Sequence, residues 1–227
     1  MIIIGNPDKN NSKLKNLISN LEIDDKYLKS NSNFRNEIID HINNNMCVLD
    51  IGKSMRDEFK KINCKEIKTL DINIFDDYPD IQFDLSETVE IEKTEIYNRF
   101  DAIICLAVLE HVYDPIVAIK NINKMLKNNG IFFGYVPFLY HYHAPENLDF
   151  QDYYRYTKDG ISYLLRDFKK IKIYPVRGRL SSSMHVLFGS FWKKTFEKYK
   201  FNQFIDRFFS KNKNSKQAGG FNFIAIK

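Results

Sequence analysis

Along most of the chain, short apolar runs alternate with stretches whose apolar residues recur every three to four positions. Residues 11–45 carry the second pattern, with Phe34, Ile38, Ile39 and Ile42 at helical spacing, and predict a helical lead-in broken by Asn43, Asn44 and Asn45. MCVLDI at 46–51 follows and is closed by Gly52; a run so short and so uniformly apolar reads as a buried parallel strand. Residues 54–63 suit a short helix, IKTLDI at 67–72 a second strand and IQFDL at 81–85 a third. FDAIICLAV at 100–108 is the most apolar stretch and predicts a central strand. Asp114 as N-cap and Pro115 at the first position open a helix with Ile116, Ile119, Ile122 and Leu126 on its apolar face, and Asn129-Gly130 is the expected stop. IFFGYVPF at 131–138 is a fifth strand. Strands alternating with helices argue an α/β fold, a parallel sheet covered on both faces.

The rest of the chain changes character. Residues 139–160 form a loop rich in Tyr and His, 161–168 a short helix, and KIKIYPV at 170–176 another strand. A long aromatic segment spans roughly 181–210, a polar turn 211–220, and FNFIAIK at 221–227 closes the chain as an alternating strand. No repeat or interdomain linker is visible. A length of 227 residues suits one large domain, 1–227, with a helical cap over 1–45.

Composition narrows the class without fixing it. Hydrophobic residues at 44% and charged residues at 28% are ordinary for a globular chain and argue against disorder. The net charge of +5 is not gathered in one basic run, so nucleic acid is permitted and not expected. Cys47, Cys64 and Cys105 are odd in number and form no CxxC pair, which disfavours a disulfide framework or structural zinc and suits a reducing cytoplasm. The opening MIIIGNPDKN lacks the basic and apolar regions of a signal peptide, and no apolar run has the length of a membrane span.

Candidate chemistry lies at the ends of the predicted strands. In VLDIGKS at 48–54, Gly52 allows a tight bend and close approach to a ligand, and Asp50 stands ready for an ammonium. Asp71 follows 21 positions later at the next strand end, where an acidic residue accepts the two hydroxyls of a ribose. Asp84 and Leu85 offer a carboxylate and a backbone amide to an adenine. Three acidic residues after three successive strands exceed what helix capping alone explains. GxGxxG and the phosphate-binding P-loop are both absent.

VLDIG, TLDIN, FDL and FDAIICLAVLEHVYDP, in that order, resemble the motifs of class I S-adenosylmethionine-dependent methyltransferases, whose usual forms are VLDIGCGxG and FDxIxxxxVLEHxxDP. The similarity covers about residues 46–160, and the EH-containing piece is its most specific part. The resemblance implies a Rossmann-like, doubly wound, mainly parallel sheet of seven strands with an antiparallel last strand. It implies S-adenosylmethionine as cofactor, held by Asp50, Gly52, Lys53, Asp71, Ile72, Asp84, Leu85, Cys105, Leu106 and His111, with Glu110 flanking the pocket. The family's second glycine is Ser54 here, which predicts a less close approach of backbone to cofactor.

The acceptor is expected over the carboxyl ends of the strands. PFLYHYHAPENLDFQDYYRYTKDGISYLL at 137–165 resembles the H-x-P…DYxRYT segment of small-molecule methyltransferases, often ones associated with surface-polysaccharide gene clusters. Residues 139–210 then form the acceptor side. Tyr140, His141 and His143 are candidate catalytic groups, because two neutral-range titratable residues stand one apart beside the cofactor; packing of the loop is an equal alternative. No third ligand accompanies the HxH pair in sequence, so no metal is expected. Tyr154, Arg155, Arg177 and Arg179 are candidate substrate contacts and, with the basic charge, tilt the acceptor toward a phosphate or nucleotide-sugar diphosphate. The expected activity is methylation at N or O of a small polar acceptor. An RNA or protein methyltransferase and a non-catalytic cofactor-binding module are the alternatives, and an NPPY-type tetrapeptide is absent. The aromatic positions at 186–209 would pack on the sheet by default, or form a homodimer interface, a lid or a membrane-surface helix.

Overall fold

The computed structural model describes residues 21–23, 31–144, 146, 150–192 and 217–227. Eight strands are present among them: β1 (Leu21–Ile23), β2 (Cys47–Ile51), β3 (Glu66–Asp71), β4 (Ile81–Gln82), β5 (Phe100–Leu106), β6 (Leu126–Pro137), β7 (Lys170–Val176) and β8 (Gly220–Ile226). Helices α1 (Asn31–His41), α2 (Pro115–Met125), α3 (Lys158–Leu164) and α4 (Arg179–Trp192) accompany them. The strands form one sheet in the order β1-β7-β8-β6-β5-β2-β3-β4. All pairings are parallel except those of β8, which runs antiparallel to both β6 and β7. β2 to β8 are the seven expected strands in a Rossmann-like α/β fold, and the last is antiparallel as expected.

The eighth strand corrects the reading of residues 11–45 as helical. Leu21–Ile23 adds to the sheet edge beside Ile171–Ile173, and the described helix begins only at Asn31. Three further expectations shift. Residues 56–61 form a 3-10 turn, not a regular helix. α2 starts as expected, with the Asp114 carboxylate accepting from the Ile116 and Val117 amides, yet it ends at Met125, four residues before Asn129. Leu126 is already extended, because β6 begins there and Leu126 pairs with Phe100. Ile116 is 40% exposed, so the buried face of α2 is Ala118, Ile119, Ile122 and Met125.

Strand alternation divides the core between two faces. Val48, Ala102, Ile104 and Phe133 point to the face covered by Phe34 and Ile38 of α1. Leu49, Ile103, Cys105 and Phe132 point to the other, against Ile119 and Ile122 of α2 and Ile161 of α3. Gly134 lies in mid-β6 because the Phe223 ring occupies the space beside it; a Cβ there would sit 1.9 Å from the ring. The strand order reverses at β2, where β3 pairs on one side and β5 on the other. In such sheets a crevice opens at the carboxyl ends beside the reversal. Gly52, Asp71 and Ala107 all stand at that end.

On α4 the side chains of Val186, Leu187 and Phe188 are exposed, while Ser181, Ser182 and His185 are buried. Residues 193–209 lie outside the described residues.

Candidate active site

The turn after β2 is built around a positive φ of 69° at Gly52, and a Cβ there would lie 2.5 Å from Val108 Cγ2. Both reasons demand glycine. The Asp50 carboxylate is buried and accepts the backbone N–H groups of Ser54 at 3.0 Å and Met55 at 3.3 Å. Burial raises its pKa to about 7, against the two amides and the nearby Arg35, which lower it. Asp50 thus ties the turn together, one amide on each carboxylate oxygen. Ser54 is buried too. Its hydroxyl donates to the Ile51 carbonyl at 2.5 Å and accepts the Leu106 N–H at 2.7 Å. A hydroxyl in place of the second glycine thus fills the Leu106 amide donor at the end of β5. Arg35 of α1 donates to the Ser54 carbonyl, fastening the turn from the other side. Cys105 is fully buried between Ile51 and Gly134 in the ladder, and burial drives its thiol pKa well up.

Asp71 faces the crevice from the end of β3. One carboxylate oxygen accepts from the Asn73 amide at 3.0 Å and the other from the Tyr78 hydroxyl at 2.9 Å. Each oxygen has a second lone pair, so both remain able to accept from a vicinal diol. Lys53, at φ 49°, lays its ammonium 4.0 Å above the Tyr78 ring, and Ile72 is exposed beside them. Asp84 accepts the Ser86 amide at 2.8 Å, and buried Leu85 gives its carbonyl to the Asn121 side chain. Asp84 and Leu85 therefore cap the loop after β4 while lying at the crevice edge.

Glu110 is the centre of the loop side. Its side chain is fully buried, and neither carboxylate oxygen has a hydrogen-bond partner. His143 Nε2 approaches Oε1 to 3.4 Å, and His111 Nε2 to 3.9 Å. The Glu110 carbonyl accepts from the amides of Tyr153 and Tyr154, which folds the loop back over β5. His143 Nδ1 lies 3.2 Å from Asp152 Oδ2 and 3.2 Å from the His141 carbonyl. The neighbouring Glu110 carboxylate raises the His143 pKa, with Asp152 adding to it against partial burial. Burial alone would raise Asp152, but the Arg155 guanidinium and the His143 amide hold it at about 2.

Arg155 forks onto both oxygens of Asp152 and also donates to the carbonyls of Tyr140, His141 and Tyr154. Its expected contact with an anionic substrate is corrected: the guanidinium is spent on shaping the loop. Tyr154 likewise gives its hydroxyl to the Tyr113 carbonyl. His111, expected beside the cofactor, meets His143 edge-on and Phe150 at a tilt, with ring centroids 4.8 and 4.7 Å away. Tyr140 stacks on His141 and meets His143 edge-on at 5.2 Å, so the three catalytic candidates are brought together. His141 is the exposed member.

Sequence reasoning missed a polar group at the ends of β6 and β8. Tyr135 on β6 is neighbour to Asn222 on β8, which pairs in turn with Tyr174. Asn222 is fully buried with neither amide atom partnered, and the Asn31 Oδ1 and Ser182 Oγ are buried without partners as well. Burial chiefly, and then Glu110, raises the Tyr135 pKa, while Arg177 and Asn31 oppose. Arg177, at φ 58°, is half-buried here, whereas Arg179 is exposed. One signal was readable: Asn222 shares an otherwise apolar strand face with Ile224 and Ile226. Asn31 and Ser182 gave none.

A sequence profile of the methyltransferase domain family matches residues 25–175. No curated protein sequence matches the chain. Among solved structures, a SAM-dependent methyltransferase from Archaeoglobus fulgidus is similar at a TM-score of 0.50 and 16% identity, covering 86% of this chain and 92% of that one. Phosphoethanolamine N-methyltransferase 2 of Haemonchus contortus, in complex with phosphomonomethylethanolamine and S-adenosylhomocysteine, is similar at a TM-score of 0.50 and 14% identity. That match covers 85% of this chain and 51% of the other, so the chain spans about half the length of the nematode enzyme. With the sheet order and the glycine turn, the profile match establishes that the chain belongs to the methyltransferase domain family, the class I enzymes that use S-adenosylmethionine.

Proposed function

We propose that this methyltransferase moves the methyl group of S-adenosylmethionine to oxygen or nitrogen of a small polar acceptor held at the ends of β5, β6 and β8. The observation that carries this reading is the set of buried polar atoms without hydrogen-bond partners on Asn31, Glu110, Ser182 and Asn222, of which Asn31, Glu110 and Asn222 neighbour Tyr135. Leaving such groups unsatisfied costs about 1–3 kcal/mol each, and a polar ligand removes that cost. The cofactor lies across Gly52, with its ribose on Asp71 and its adenine beside Asp84 and Leu85. Methyl transfer needs alignment and exclusion of water more than covalent help. Tyr140 and His143 border the acceptor, and the loop folded over Glu110 closes the site.

Arg177, half-buried after β7, supports an acceptor carrying a phosphate or a nucleotide-sugar diphosphate. The phosphomonomethylethanolamine in the nematode structure supports a phosphorylated small molecule as the acceptor class. The DYYRYT segment at 152–157 supports a precursor of surface polysaccharide made in the cytoplasm.

The test is calorimetric titration with S-adenosylhomocysteine. The native chain is expected to bind one equivalent, and Asp71→Ala to bind at least about tenfold more weakly, since a paired charged hydrogen bond is worth roughly 1.5–3 kcal/mol. Equal binding by the variant would remove the ribose assignment. A mass-spectrometric screen of phosphorylated amines, phosphorylated alcohols and nucleotide sugars then identifies the methylated product.

A further inference from the structure

Glu110, His111 and His143 turn one ligand-type atom each toward a common point, and these atoms all lie within 4.8 Å of one another. Both histidines are oriented from behind. His111 Nδ1 lies 2.9 Å from the Gln151 carbonyl, and His143 Nδ1 lies between the His141 carbonyl and Asp152. A carbonyl oxygen can only accept, so each Nδ1 is backed as a donor, with the Arg155 guanidinium a further contact 3.5 Å from His143 Nδ1, and both Nε2 atoms turn toward Glu110. In the neutral tautomer that this backing favours, two lone pairs and a carboxylate face one another. The Glu110 carboxylate is fully buried and unpartnered, so this arrangement lacks a cation.

A proton on His143 supplies one answer, but 3.4 Å is long for a charged N–H···O bond, which closes to about 2.7–2.9 Å. The 3.4 Å gap is also that between two ligand atoms on one ion, and the 3.9 Å gap would close by about half an ångström on binding. Ligand atoms on an ion with bonds of about 2.0–2.1 Å stand ~3–3.5 Å apart. Backing of imidazole Nδ1 by a carboxylate or carbonyl is also the usual support of metal-ligating histidine.

We propose that Glu110, His111 and His143 form a binding site for a divalent transition-metal ion of the zinc type. Two imidazoles and one carboxylate suit a borderline ion and leave a fourth position open. His111 and His143 keep side-chain exposures of 11% and 26%, which gives the ion a way in. The site takes His143 alone from the HxH pair and draws Glu110 and His111 from the EH motif across the loop, while His141 stays outside. Asp152 and Arg155 are positioning residues for His143.

The role of the ion rests on the methyltransferase reading, although its binding does not. In that role an acceptor hydroxyl occupies the open position and loses its proton to water. The oxygen then takes the methyl carbon, and the carbon–sulfur bonding pair returns to sulfur, leaving S-adenosylhomocysteine. Such a site would select oxygen acceptors.

The experiment uses untagged full-length protein freed of metal by chelator and titrated with zinc chloride, then with cobalt(II) as a visible-spectrum probe. The native chain and His41→Ala are expected to bind one ion per chain, with cobalt d–d bands of a low-coordinate site. Glu110→Gln and His143→Ala, with native circular dichroism, are expected to bind at least tenfold more weakly and to lose those bands. Absence of binding by the native chain, or retention of the ion in both variants, overturns the proposal and leaves the proton-bridged pair. S-adenosylhomocysteine titrated into the same samples separates the two readings: cofactor binding without metal binding refutes the site alone.

Discussion

Ser54 replaces a glycine of the family pattern, and the substitution has a physical consequence that volume alone would not suggest. Its hydroxyl bridges the Ile51 carbonyl and the Leu106 amide, two groups from adjacent strand ends that are both buried. Ser54→Ala would leave both without a partner and is expected to lower stability by about 1–3 kcal/mol. Ser54→Gly would strand the same two groups but open the Leu106 amide to the cofactor. Urea denaturation with and without S-adenosylhomocysteine checks both. The glycine variant should be less stable than native when free and should recover more on ligand addition than the alanine variant. Equal stability of all three proteins would mean that the hydroxyl bridge contributes nothing. The residue scale is also where the sequence was least legible. Asp50, Gly52 and Asp71 stand at the strand ends their motif implied, because the register of strand and turn fixes them. Arg155 and Glu110 exchanged importance. A guanidinium three residues from an aspartate reads equally as a substrate contact or a loop tie, and only the fold shows that Asp152 holds it. Glu110 looked like a flank of the cofactor because the histidines that face it come from loop positions that no periodicity specifies.

At the scale of elements, the apolar runs carried most of the information. β5, β7 and β8 fall within two residues of their expected bounds, since uninterrupted Ile, Val and Phe leave few other ways to bury that surface. The misreadings came where neighbours overrule local pattern. Asn129-Gly130 resembles a helix stop, yet α2 yields to β6 four residues sooner because Leu126 gains a place against Phe100. β1 lies in a stretch of helical periodicity, where sheet-edge pairing with β7 decides. β6 and β8 are joined by a contact that propensity would miss altogether: the Phe223 ring covers Gly134 on the neighbouring strand. Gly134→Ala would force a methyl group to within 1.9 Å of that ring if nothing moved. The expected cost is about 1–3 kcal/mol, the usual range for overpacking, with the strands pushed apart at the acceptor end. Gly134→Ala combined with Phe223→Leu should recover part of the loss in thermal denaturation. No recovery would show that β6 responds to the added side chain itself and not to the ring.

For the whole molecule, one buried carboxylate makes stability depend on pH near neutrality. Asp50 is 1% exposed, and burial lifts its pKa from 3.8 to about 7 despite the two amides and Arg35. Between those two values the folded protein holds a proton that the unfolded chain does not. Lowering the pH through that window therefore favours folding, and raising it disfavours folding. The direction is opposite to that of a salt-bridged aspartate, whose depressed pKa makes stability rise with pH. The cost of burying the charge is fully present above pH 7, of the order of 4 kcal/mol at about 1.4 kcal/mol per unit of pKa. Urea midpoints measured from pH 5 to pH 8 are expected to fall for the native chain. Asp50→Asn keeps an acceptor for one of the two amides and has no proton to lose, so its midpoint should change less over the same range. A native midpoint that stays level to pH 8 would mean that Arg35 and the amides of Ser54 and Met55 hold the carboxylate ionised throughout. The cofactor turn would then be stabilised by charge, and Arg35→Met should unfold the protein more readily than Asp50→Asn.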